Sequence, residues 1–198
     1  MVSRWDPEVL PQLRAFGLER LESTSDVALA AWQDGRLAYV NPAWVSFARE
    51  NQAPQLAAAP PIGRDIYEVI AEQLRPFYRR GWEAVLAAHE VWPHRYECST
   101  PELLREYLML TYPLHGPPPA LLQVHSLVVS AAHDREAVVP VEVAYRDLHG
   151  IITQCASCRR VQHPHSADRW DWVPEWVEQA PELTSHGVCG PCLEHYYR

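Results

Sequence analysis

Apolar residues near the start of the chain change their period twice, and each change predicts a new element. Over PEVLPQLRAFGLERLE (residues 7–22), Val9, Leu10, Leu13, Phe16, Leu18 and Leu21 recur at roughly helical spacing, which predicts an amphipathic N-terminal helix despite Gly17. Periodicity alone does not say whether that stripe meets the chain's own core or a second copy. VALAAWQ (27–33) and RLAYV (36–40) are short apolar runs joined by Asp34-Gly35, the pattern of a two-residue hairpin whose type I′ turn needs positive φ at both central positions. Asn41-Pro42 then supplies an N-cap and a first-turn proline for a helix whose apolar face is Trp44, Val45, Phe47 and Ala48.

The stretch QAPQLAAAPPIG (52–63) reads as a Pro/Ala loop. Asp65 with Glu68 resembles a capping box that opens a short helix burying Ile66, Val69 and Ile70. From about Arg75 a longer helix presents Tyr78, Trp82, Val85 and Leu86, with Pro93 as its stop. His94–Ser99, Glu106–Leu114 and Ala120–Val129 read as strands, the last two separated by the turn HGPPP. Two strands, several helices and three strands predict an antiparallel α+β sheet, not alternating βα units. A short helix from Val141 to His149, preceded by Pro140, is expected to lead into the C-terminal region.

That order, with NPAW after the second strand, resembles a PAS domain over residues 24–130. The likeness lies in RLAYVNPAWVSFARENQ, PIGRDIYEVI, RYECSTP, YLMLTYPL and LLQVHSLVV taken together. The resemblance implies a five-stranded antiparallel sheet with helices over one face. It also implies a sensor or interaction module without catalysis, often a homodimer.

Composition narrows the function classes. All 17 basic residues are arginine, against 25 acids, for a formal charge of −8. Both the region before Gly150 and the region after it are net negative, so neither has the basic surface of a nucleic-acid binder. No segment has the ~20 apolar residues of a membrane helix, and MVSRWDPEVL lacks the apolar core of a secretory signal; a cytoplasmic protein is expected. No Gly-rich phosphate loop, nucleophile elbow or kinase segment occurs, so the expectation is a non-enzyme acting on a protein partner or output kinase.

Four of the five cysteines form two C-x-x-C pairs, Cys155/Cys158 and Cys189/Cys192. Each pair lets two thiolates grip one ion from a tight turn, and two pairs complete a tetrahedral zinc site with Zn–S near ~2.3 Å. The 30-residue insert is too short to bury much core without such a staple. Cys189-Gly-Pro-Cys192 also matches the dithiol of thioredoxins, which makes a thiol redox switch or dithiol oxidoreductase the alternative. Yet Val188 stands where those enzymes have tryptophan, and only six residues follow Cys192. An iron–sulfur cluster is the remaining reading.

LHGIITQCASCRRV, RWDWVPEWVEQ and ELTSHGVCGPC closely resemble a C-terminal element found on many bacterial PAS-containing signalling proteins. The match spans residues 148–197 and is specific in Cys155, Cys158, Trp170, Ser185, His186, Gly187, Cys189 and Cys192. In that element a helix leads into the first pair and a short helix accompanies the tryptophan. This chain departs by the extra HPHSAD before Trp170 and by Val188 in place of isoleucine. His186 is either an alternative ligand or a residue that orients one; with four thiolates available the second role is favoured. His163, His165 and His195 are expected to be exposed.

The PAS resemblance also implies a small-molecule cavity, for which Trp44, Phe47, Tyr67, Ile70, Tyr78, Trp82, Cys98 and His125 are the candidate lining. An ordinary aromatic core is the better-supported alternative, because aromatics at these spacings are what cores are made of. Haem ligation by His89, His94 or His125 would rest on a lone histidine, and Cys98 reads as a buried, inert thiol. The expected division is an N-terminal helix (1–23), a PAS-like domain (24–132), a connecting segment (133–150) and a zinc-binding module (151–198).

Overall fold

The computed structural model describes residues 3–51 and 53–197. Two compact units emerge. The first holds the chain up to Ile70 together with Tyr78–His94 and Leu108–Ser126; the second holds Ala71–Phe77, Arg95–Tyr107 and the chain from Leu127 onward.

A five-stranded antiparallel sheet with helices, as the PAS resemblance implies, is present. Its strands are β1 (Val27–Trp32), β2 (Leu37–Val40), β3 (Trp92–Glu97), β4 (Leu103–Leu114) and β5 (Ala120–Ala132), in the order β2-β1-β5-β4-β3. β1 is the hinge of the register, pairing Leu29 with Val40 on one side and Ala28 with Val124 on the other. The predicted strands are all found: β1 and β2 one residue shorter, β3 shifted by two residues toward the N-terminus, and β4 and β5 three residues longer.

β1 is buried almost throughout because helices cover it from both faces. On one face the 3-10 turn Pro7–Val9, α1 (Leu10–Phe16) and α2 (Leu18–Ser23) place Val9, Leu13 and Leu21 against Ala28, Ala30, Trp32, Tyr39 and Leu122. The N-terminal stripe therefore meets the chain's own core. Its helix is broken at Gly17, whose φ of 123° turns the chain between α1 and α2. On the other face α3 (Pro42–Glu50) and α5 (Arg75–Ala88) contribute Trp44, Val45, Trp82 and Val85, which pack on Leu29, Leu37, Val40, Ala31 and Leu121.

Asn41 caps α3 as expected and does more. Its Oδ1 accepts from Trp44 N–H at 2.9 Å and Ala28 N–H at 3.0 Å, while its Nδ2 donates to the carbonyls of Leu21 and Asp26. This fully buried amide ties α2, β1 and α3 together with every polar atom satisfied.

Several expectations are corrected. The β1–β2 connection is not a type I′ turn: only Gly35 has positive φ (91°), and Asp34 instead accepts from Arg36 N–H. Gly35 is further required because a Cβ there would lie 2.9 Å from Asp65 Oδ1 and from the Tyr67 ring. The Pro/Ala loop contains α4 (Pro54–Ala58), while Gln52 lies outside the described residues. The segment after Asp65 is a 3-10 helix, Ile66–Val69, and its threefold repeat buries Tyr67 and leaves Val69 80% exposed. α5 ends at Ala88, followed by His89 in the left-handed region at φ 56°, and Pro93 lies inside β3. The connecting helix shrinks to α6 (Glu142–Tyr145).

The C-terminal region has its own four-stranded sheet, order β8-β7-β6-β9, formed by β6 (Ile152–Cys155), β7 (Val161–His163), β8 (Ser166–Asp171) and β9 (Thr184–Gly187). A 3-10 turn, Pro174–Trp176, and a final helix, α7 (Gly190–Tyr197), complete it. Strand β6, not a helix, leads into Cys155, and the extra HPHSAD is the tip of the β7–β8 hairpin. Tyr145, Ile152, Val161, Val173 and Trp176 make its small core. No described helix is long and apolar enough to cross a membrane.

Candidate metal centre

The two cysteine pairs are separated by 30 residues yet meet because β6 and β9 run parallel, with Gln154 opposite His186 and Cys155 opposite Gly187. Cys155 ends β6, and the turn that follows returns Arg159 N–H to Cys155 O, with Arg159 at φ 62°. Ala156 N–H bonds Gly187 O at 2.8 Å, stitching this turn to the strand that delivers the second pair. Gly187 admits the approach: a Cβ there would meet Thr153 Cγ2 at 3.0 Å. Cys189 precedes α7 and Cys192 lies in its first turn, where Leu193 N–H closes back on Cys189 O.

All four Sγ atoms lie within 4.8 Å of one another, and Cys158 Sγ is 3.6 Å from Cys189 Sγ. Zinc–thiolate bonds of ~2.3 Å in a tetrahedron require S···S edges of about 3.8 Å, so the geometry fits four-thiolate coordination. Cys155, Cys158 and Cys189 are buried, and Cys189 N–H donates to Cys155 Sγ at 3.5 Å. Hydrogen bonds from Cys158, Cys189 and Cys192 drive the Cys155 thiol down, while the same contacts drive Cys158 up. Four sulfurs packed this closely cannot all be thiolates without a cation among them, and that is the charge a divalent metal supplies.

His186 is exposed and stands outside this group of ligand atoms. Partial burial, and then Arg159, lower its pKa, with Cys155 opposing them. Its carbonyl accepts from the Gln73 side chain. His165 and His195 are exposed, whereas His163 is half-buried, its ring 6.0 Å from Tyr145.

Contacts that no motif announces join this centre to the rest of the second unit. Tyr197 donates its hydroxyl to Gln73 O, Phe77 packs edge-on against Tyr196 at 4.9 Å, and His195 contacts Arg95 O at 2.6 Å. Gln73 and Phe77 belong to the segment that opens α5, so α7 holds that segment by backbone and ring contacts. On another side Arg135 makes a two-pronged ion pair with Glu97 (2.6 and 2.8 Å), stacks over Trp172 at 4.8 Å and reaches Cys158 O. A signal for Gln73 or Arg135 is absent from the sequence, because each works through partners 23 to 124 residues away.

The suggested cavity residues are dispersed. Tyr67 and Trp82 line one cavity of the first unit; Trp44 packs with Leu37 and Val40. Ile70 and Tyr78 pack against the Trp82 cluster, and Phe47 is half-buried on α3. Cys98 is half-buried, its thiol raised by burial, and burial pushes the His125 imidazole down to about 4. His94 is buried between the rings of Tyr78 and Trp92, and His89 is exposed.

No family model matches the chain, and no curated protein does. Solved structures similar to it include the PAS domain from Bordetella pertussis BvgS (14% identity, 60% of this chain and 88% of that one, TM-score 0.46). The photoactive yellow protein domain of the sensor histidine kinase Ppr from Rhodospirillum centenum is similar at 12% identity (59% and 97%, TM-score 0.40). The PAS domain of nitrogen regulation protein NR(II) from Vibrio parahaemolyticus is similar at 12% identity (60% and 98%, TM-score 0.37).

Proposed function

We propose that this chain is a non-catalytic signal-transduction sensor or adaptor of the bacterial PAS type, in which Cys155, Cys158, Cys189 and Cys192 hold a structural zinc ion. The observation that carries the reading is the convergence of four Sγ atoms within 4.8 Å, from two turns that a parallel strand pair brings together. Zinc, when bound, supplies the positive charge that lets four thiolates share a buried volume. The chain's own residues then set the consequences: α7 is fixed at its first turn by Cys189 and Cys192, and through Tyr196 and Tyr197 it holds Gln73 and Phe77. A change in the sulfur set is thereby passed to the entry of α5, and a protein partner, such as an output kinase, reads it.

The test is cobalt substitution. Protein refolded with Co(II) shows the intense thiolate charge-transfer and tetrahedral bands of four-sulfur coordination, and Cys155→Ser or Cys192→Ser shifts both. Hydrogen exchange over residues 71–77 rises when the metal is chelated. Octahedral cobalt spectra, or 71–77 exchanging at the same rate in both states, overturn the respective halves of the reading. Insulin reduction lost in Cys189→Ser with the fold intact would instead establish the dithiol enzyme.

A further inference from the structure

The second unit contains a cavity of about 440 Å³, within the ~300–1,000 Å³ range of small-molecule sites, beside the outer strand of its small sheet. Residues 135–138 run along that strand where it ends: Ala137 pairs with Trp172, and Val138 N–H bonds Trp172 O at 2.9 Å. Residues 169–172 form the facing wall, and Arg160, immediately before β7, reaches the same space.

Most of the charge in this cavity is already committed. Arg135 is held by both oxygens of Glu97, at 2.6 and 2.8 Å. Arg169 pairs with Asp171 Oδ1 at 3.0 Å, and Asp171 Oδ2 accepts from the Tyr145 hydroxyl. Two lining charges remain. The half-buried Arg160 and the exposed Glu136 make no ion pair among the described residues, with each other or with any other group. An anion alone would meet Glu136 uncompensated, and a cation alone would meet Arg160; a ligand that carries both charges satisfies both.

The apolar part of the lining is narrower than its two tryptophans suggest. Trp172 is 3% exposed, covered by the Arg135 guanidinium at 4.8 Å and the His133 ring at 4.4 Å, and offers a ligand no face. Trp170 and Val138 are only half-buried. The Trp170 indole N–H is spent on Ala167 O at 3.1 Å, so its ring contributes apolar contact alone.

We propose that this cavity binds a free α-amino acid with an apolar side chain. Arg160 takes the carboxylate through two parallel hydrogen bonds, Glu136 takes the ammonium, and the side chain lies against Trp170 and Val138. The inference goes beyond the zinc reading and uses no sulfur.

Isothermal titration of the full chain with L-leucine tests it. The expected result is saturable binding of one molecule per chain, weakened roughly tenfold or more in Arg160→Gln and about threefold in Glu136→Gln, whose carboxylate is more exposed. Two analogues each remove one charge: 4-methylpentanoate lacks the ammonium and 3-methylbutylamine lacks the carboxylate, and both are expected to bind far more weakly. Circular dichroism and the zinc content of each variant separate loss of the site from loss of the module. Glu136→Gln, at an exposed position, decides the matter if Arg160→Gln does not fold. The proposal is overturned if L-leucine does not saturate, if either analogue binds as tightly, or if the folded variants keep full affinity. Tighter binding of 6-aminohexanoate than of L-leucine would overturn the α-amino acid assignment.

Discussion

Around β1, the sheet of the first unit is closed by apolar side chains from α1, α2, β2 and β5, with Leu13, Tyr39 and Leu122 all fully buried. The C-terminal sheet has only Tyr145, Ile152, Val161, Val173 and Trp176, and beside them a separate cluster made of cysteines and Trp170. Burial of apolar area stabilises in proportion to its extent, so the first region holds by packing and the second needs a cross-link. Each region also buries a structural amide that ties its elements together. Asn41 joins three elements through four hydrogen bonds, whereas Gln154 donates to Trp176 O inside the small sheet. The comparison teaches that the two regions are held differently, one by a broad apolar core and the other by a small core beside four converging cysteines.

The sharpest way to break the comparison is to remove the staple. Chelation, or Cys155→Ser with Cys189→Ser, is expected to abolish hydrogen-exchange protection across residues 150–197 while residues 27–40 and 120–125 keep theirs. Protection surviving in both regions would show that the small sheet packs well enough alone.

Next in size is Asn41→Ala, expected to cost about 3 kcal/mol in urea unfolding. It leaves the N–H groups of Ala28 and Trp44 and two carbonyls unmatched in a buried site, each at ~1–3 kcal/mol before relaxation. A shift under 1 kcal/mol would mean that water replaces the amide. The chelator response of the C-terminal region should be unchanged in this variant.

Arg135→Ala should cost about 2 kcal/mol, below the ~3–5 kcal/mol of a fully buried pair because the Arg135 and Glu97 side chains keep 11% and 16% exposure. Arg135→Lys retains the charge but loses the fork and the stack on Trp172, and is expected to recover only part of that loss. Denaturant midpoints of the three proteins check the order.

The smallest effect is a pH dependence confined to the first region. Burial alone would raise the Glu22 carboxyl, but hydrogen bonds from Arg4 at 2.6 Å and Tyr39 at 2.8 Å outweigh it and hold the group below the ordinary glutamate range. A depressed folded pKa gives stability that is present above the unfolded value of about 4.3 and is lost as pH falls through the folded one. Native protein should therefore lose more stability than Glu22→Gln between about pH 5 and pH 3. Parallel pH curves for the two proteins would remove Glu22 from the account.

How much was legible depended on whether the cause was local. Asn41-Pro42 announces a helix start because an N-cap is a contact over three residues, and each C-x-x-C spacing announces a tight turn that holds two sulfurs together for the same reason. A 3.6-residue period places Val69 in the core, but the segment is a 3-10 helix, whose period turns Tyr67 inward instead. The contacts of Gln73 with Tyr197 in α7 and with His186 in β9, and the Glu97–Arg135 pair across 38 residues, have no local cause and leave no trace in a pattern. The parallel pairing of β6 with β9 is of the same kind, and it is what brings the two cysteine turns together.

The central claim is tested most directly by the metal content of protein purified without added metal, measured alongside the folding of its C-terminal region. The account predicts one zinc per chain, lost together with exchange protection over residues 150–197 on chelation. Well under one ion per chain, with that region still folded, would contradict it.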